Sequence, residues 1–80
     1  MKLIKVRYIH GNAAVNGKVD TAIAILNVEC INAIVNATQY ISFDGQGKNI
    51  NTYNVCLNNI ILHVLPEDMQ PIWDSIGMKL

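Results

Sequence analysis

Asp20-Thr21-Ala22-Ile23-Ala24-Ile25-Leu26-Asn27-Val28-Glu29-Cys30-Ile31-Asn32-Ala33-Ile34-Val35-Asn36-Ala37 decides the fold, because this stretch reads in two ways. As strands, Ala22, Ala24, Leu26 and Val28 alternate with Thr21, Ile23, Ile25 and Asn27. After a shift near Glu29, Ile31, Ala33 and Val35 continue opposite Asn32, Ile34 and Asn36. As a helix, Ile23, Leu26, Cys30, Ile31, Ile34 and Val35 share one face, Thr21, Glu29, Asn32 and Asn36 the other, and Asp20 serves as N-cap. The isoleucines and valines favour strands, since β-branched side chains lose rotamer freedom in a helix. Asn27 would also fall inside the helix's apolar face. Strands are therefore expected, with a central helix at about 20–37 as the alternative.

The flanks support strands. In residues 3–9, Ile4, Val6 and Tyr8 alternate with Lys5 and Arg7, the period of a half-buried strand. His10-Gly11-Asn12 breaks that run. Ala13-Ala14-Val15 leads into Asn16-Gly17, a pair that tolerates positive φ and signals a hairpin. Tyr40 and Ser42 alternate with Ile41 and Phe43, and Asp44-Gly45-Gln46-Gly47 reads as a turn. Beyond it Ile50, Thr52, Asn54 and Cys56 oppose Tyr53, Val55 and Leu57. Asn58-Asn59 is a second hairpin signal, and Ile60 to Leu65 is apolar enough to suggest a central strand.

The tail changes period. Met69, Ile72, Trp73 and Ile76 lie at helical spacing. Pro66, Glu67 and Asp68 suit a first turn, Pro71 implies a break, and Gly77 suits a stop. The expected fold is mainly β within the α+β class: a small antiparallel sheet, or a barrel like the SH3 and Sm types, with a short C-terminal helix. Residues 1–80 are read as a single small domain.

Six basic and six acidic side chains cancel in an 80-residue chain. At 15% charged, against roughly 25% in ordinary domains, little charge guards the surface. A domain of this size is marginal alone and usually needs a staple or a partner. Residues 21–43 carry only Glu29, so that stretch is expected to be either the core or the main interface. Clustered cations, which phosphate binding requires, are absent, and this argues against nucleic acid. No apolar run approaches the roughly 18 residues of a membrane span, and Met1-Lys2-Leu3-Ile4-Lys5 lacks a signal peptide's apolar core. Cys30 and Cys56 are expected to be free, buried thiols in the cytoplasm. The ten asparagines read as residues tolerated in turns rather than as a wet binding surface.

Met1-Lys2-Leu3-Ile4-Lys5-Val6, Leu26-Asn27-Val28-Glu29-Cys30-Ile31-Asn32-Ala33-Ile34, Tyr40-Ile41-Ser42-Phe43-Asp44-Gly45 and a helix carrying Ile72 and Ile76 follow one plan. It resembles that of short bacterial and phage proteins of the flagellar-operon FlbD-like family, over about two-thirds of the chain. The added hairpin at Asn58-Asn59 and the stretch from Ala13 to Asp20 depart from it. The resemblance implies a small, non-enzymatic accessory protein of bacterial or phage type and assigns no residue a role.

The chemistry-bearing residues support no catalytic set. His10, His63, Cys30 and Cys56 are zinc-type donors without zinc spacing, so no metal or other cofactor is expected. Either thiol beside a histidine and Asp44 would need activation that an apolar strand does not supply. Phe43-Asp44-Gly45-Gln46-Gly47-Lys48-Asn49 lacks the spacing of a phosphate loop and reads as a hairpin turn. It still exposes Asp44, Gln46, Lys48 and Asn49 to a ligand. Lys5 and Arg7 would form a basic outer stripe, or merely guard a strand edge. Trp73 would anchor the helix or serve a partner as a hot spot, core packing being favoured. The expectation is thus a non-enzyme that self-associates and binds a host or cognate protein, as a phage or mobile-element accessory factor or inhibitor. A nucleotide-like small ligand is the alternative, and a barrel-type RNA binder the third.

Overall fold

The computed structural model describes residues 1–77. Five strands, β1 (Leu3–Val15), β2 (Lys18–Asn27), β3 (Ala33–Phe43), β4 (Gln46–Cys56) and β5 (Ile61–Val64), form one sheet in the order β2-β1-β3-β4-β5. A short helix, α1 (Gln70–Ile76), follows a 3-10 turn at Pro66–Asp68. The strand reading of residues 20–37 holds and the central helix does not exist. Its place is taken by β2, a 3-10 turn at Val28–Cys30 and the start of β3. The turn sits where the alternation shifts near Glu29, and Asn27 caps it by accepting from the Glu29 N–H at 3.1 Å.

The sheet is mixed rather than purely antiparallel, and it is not a closed barrel. The hairpins β1–β2 and β3–β4 meet through a short parallel contact, Ala13 beside Ser42 and Ala14 beside Phe43. Their tips therefore lie at the same end. Each tip is a two-residue turn with positive φ at both positions: Asn16 (54°) with Gly17 (74°), and Asp44 (52°) with Gly45 (85°). That geometry matches the twist of the strands it joins. Gln46 and Gly47, expected in the second turn, already belong to β4. The break at His10-Gly11-Asn12 is a bulge, where the β1–β2 register shifts between Ile9 and Ala14.

Two apolar cores result. The larger gathers Val6, Leu26, Val28, Val55, Leu62, Val64, Met69 and Ile72, with Met69 and Ile72 bringing α1 down onto the sheet. The smaller unites Ile9, Ala14 and Ile41. The bulge permits this division, because a sharp change of register and twist re-aims the side chains beyond it. The segment from Ile61 to Val64 is an edge strand, not the central strand its hydrophobicity suggested. Leu62 and Val64 are buried within the larger core, while Ile61 stays 51% exposed. Cys30 and Cys56 are free thiols, half-buried rather than fully buried. The tail follows its expected punctuation, with Gly77 left-handed (φ 75°) and its N–H donating to the Trp73 carbonyl.

Candidate functional site

The residues expected to touch a ligand or partner fall in three separate places. Lys5 and Arg7 are exposed on β1. Their antiparallel partners on β2 are Ile25 and Ile23. Directly paired residues share a sheet face, so Leu3, Lys5 and Arg7 stand with Ile23, Ile25 and Asn27 on the side away from Val6 and Leu26. On that side Leu3 is 56% exposed, Ile23 54% and Ile25 66%. Burying an isoleucine side chain yields about 1.5–3 kcal/mol, so these side chains leave stabilisation unused. At its far end the same side closes over the smaller core through Ile9.

Asp44, Gln46 and Lys48 share a shallow depression of ≈ 460 Å³ with Phe43 and Gly47 at the β3–β4 tip. Lys48 Nζ stands 5.0 Å from the centre of the Phe43 ring, a cation–π contact that occupies the one cation of the turn. Asn49 pairs with Tyr40 and is not among the residues of the depression.

Trp73 belongs to neither. It lines a groove of ≈ 460 Å³ between α1 and the start of β3, with Val28, Ile31, Ile34, Tyr53 and Ile76 as its apolar walls and Asn32 and Asn36 at its polar part. Trp73 meets Tyr53 edge to face, with ring centres 5.4 Å apart and planes at 87°. Ile76, expected to be packed with Met69 and Ile72, is 37% exposed at this groove. Trp73 thus anchors the helix against the sheet and also borders open space.

Among the described residues no three of His, Cys, Asp and Glu gather to hold a metal ion. His63 does have close polar neighbours. Its Nδ1 lies 2.7 Å from Asn54 Oδ1, to which it donates in one tautomer, and 3.1 Å from Gln39 Nε2, from which it accepts in the other. Neither neighbour is a carboxylate or a nucleophile, and the contacts tie β5 to β3 and β4. Thr52 is 2% exposed, and its Oγ1 has no hydrogen-bond partner among the described residues. No described helix is long and apolar enough to cross a membrane.

Several asparagines expected to be merely tolerated have definite tasks. Asn16 takes the positive φ of a turn. Asn27 Oδ1 accepts from the backbone N–H of Lys2 at 3.2 Å and of Glu29 at 3.1 Å. Asn32 Nδ2 donates to Asn58 Oδ1 at 3.1 Å, fastening the entry of β3 to the β4–β5 turn.

The outer side of β1 and β2 is the strongest candidate surface. It joins exposed apolar side chains, two cations and an uncovered strand edge in one place. Lys5 and Arg7 were legible as an outer stripe. Leu3, Ile23 and Ile25 were missed as contact residues, although the alternation already set the two isoleucines opposite Leu26. No family model, curated protein or solved structure matches this chain.

Proposed function

We propose that this chain is a small non-enzymatic binding protein that self-associates and acts through protein–protein contact, presenting the outer side of β1 and β2. The observation that carries the reading is the exposure of Leu3, Ile23 and Ile25 beside Lys5 and Arg7. Lys5 lies among the apolar side chains of that side, whereas Arg7 and Thr21 border a depression they share with Glu67 and Asp68 at its far end. Apolar centres rimmed by charge are what protein interfaces use. The chemistry favours a partner segment whose apolar side chains are flanked by carboxylates, since complementary charge steers encounter and fixes register. An accessory or inhibitory role follows when such a surface covers part of a cognate protein. Half-buried free thiols suit a reducing compartment such as the cytoplasm.

The test compares wild type with the Lys5→Glu, Arg7→Glu double variant as bait in a host lysate, with captured proteins identified by mass spectrometry. A protein held by wild type, lost with the double variant and released as salt rises supports the reading. An identical set of captured proteins for both baits counts against it.

A small ligand is the second reading, supported by the groove at Tyr53 and Trp73. Its aromatic walls and the amides of Asn32 and Asn36 suit a planar, hydrogen-bonding ring such as a nucleobase. Thermal shift against a nucleotide panel tests it, because a ligand bound only by the folded state raises the melting temperature.

A further inference from the structure

We infer that two copies of this chain join through their β2 strands, antiparallel and about a two-fold axis at Ala24, into one ten-stranded sheet. This deepens the self-association proposed above by naming its surface and register.

β2 is a free edge ten residues long. The other edge, β5, has four residues and lies against β1 as well as β4. Which backbone groups β2 offers follows from one bond. The Val28 N–H donates to the Lys2 carbonyl at 2.9 Å, so position 28 points its polar groups toward β1. In an antiparallel ladder this alternates. Leu26, Ala24 and Ala22 therefore also face β1, whereas Thr21, Ile23, Ile25 and Asn27 direct their N–H and C=O groups to the open edge. Thr21 to Leu26 contains no charge, proline or glycine, the devices by which natural edges avoid pairing. A bare, β-branched edge of this kind is what a second strand covers.

The occupant is a second copy because the strand complements itself. A two-fold interface sets each residue against another of the same surface. About Ala24, Ile23 of one copy faces Ile25 of the other, Ala22 faces Leu26, and Thr21 faces Asn27. Thr21, Ile23, Ile25 and Asn27 all bring outward polar groups to these pairs, giving up to about eight backbone hydrogen bonds, two for each facing pair. Four isoleucines meet on the outer side, in the non-polar middle of the joined sheet. Charge selects the direction. Lys18 opens the strand and Glu29 follows its end, so antiparallel pairing about Ala24 sets Lys18 of each copy opposite position 30 of the other, one residue from Glu29, whose carboxylate also holds the Met1 ammonium at 3.0 Å. Parallel pairing would stack like charges. Across the axis, Arg7 of one copy and Lys5 of the other stand about 14 Å apart, three strand spacings, and salt screens them at that range.

Light scattering across a concentration series tests the inference with Ile23→Pro and Ile23→Ala. Both lose the isoleucine, but only proline removes the outward N–H, at an edge position where the fold tolerates it. Wild type is expected to be a dimer, Ile23→Ala a weaker dimer, and Ile23→Pro a monomer with an unchanged circular dichroism spectrum. A monomeric wild type, or Ile23→Pro dimerising as well as Ile23→Ala, overturns the inference. Register is read from Ala24→Cys with Cys30 and Cys56 replaced by serine. Mild oxidation is expected to yield a covalent dimer there and none for Thr21→Cys, whose facing residue is Asn27; the reverse pattern overturns the register. A monomeric wild type that still captures a partner through Lys5 and Arg7 removes the dimer and leaves the partner-binding reading standing.

Discussion

Tyr53 and Trp73 meet edge to face with 5.4 Å between ring centres, and this contact joins the terminal helix to the fourth strand. Aromatic pairs of this geometry add about 0.5–1.5 kcal/mol beyond the area they bury. Trp73→Phe keeps an edge-to-face partner and is expected to cost about 1 kcal/mol. Trp73→Ala opens the groove and is expected to cost about 3 kcal/mol, the low end for aromatic truncation because the indole is only half-buried. Denaturant unfolding followed by circular dichroism measures both. Equal losses for the two variants would show that the ring pair contributes nothing of its own.

A second aromatic device sits near the β3–β4 tip. Tyr40 lies over Gly47, in the space that a Cβ at position 47 would fill. The tyrosine covers backbone that glycine leaves bare. Gly47→Ala is expected to push the ring away and make Tyr40→Ala nearly neutral in that background, though it costs about 1 kcal/mol in wild type. A double-mutant cycle reads this coupling directly. Additive effects of the two changes would contradict it.

Thr52 offers a stabilising change. Its hydroxyl is buried without a partner among the described residues, and such a group carries a desolvation cost of about 1–3 kcal/mol. Valine has nearly the same shape and no polar atom. Thr52→Val is expected to raise stability by about 1 kcal/mol, which is about 4–8 °C in melting temperature for a domain of this size. A fall in melting temperature would show that the hydroxyl is satisfied by solvent.

Local chemistry made much of this fold legible. Asn16-Gly17 and Asp44-Gly45 announced their turns because both positions of each pair adopt positive φ. The alternation of Ile4, Val6 and Tyr8 with Lys5 and Arg7 appeared as one side in and the other out. Residues 20–37 resolved to strands for the rotameric reason that made a helix unattractive. What stayed hidden depends on partners distant in sequence. The parallel contact of Ala13 with Ser42 leaves no periodic trace. Nor did the apolar run of Ile61 to Val64 disclose that it lies at the sheet's edge, because α1 and β1 supply burial that neighbouring strands would otherwise provide. The charge-poor stretch from 21 to 43 was expected to be core or interface. Leu26, Val28 and Ile41 enter the cores, while Ile23, Ile25, Val35 and Tyr40 remain exposed. Which residue does which depends on the sheet's curl around the bulge.

Amide hydrogen exchange at Ile23 and Ile25 tests the central claim most directly, that protein covers the outer edge and side of β2. Their N–H groups point away from β1 and have no partner strand among the described residues of one copy. Protection at both positions that grows with protein concentration, and that is lost at the outward amides of Thr21, Ile25 and Asn27 in Ile23→Pro, is the predicted result. Free exchange of both amides at every concentration, with and without a captured partner, would contradict the account.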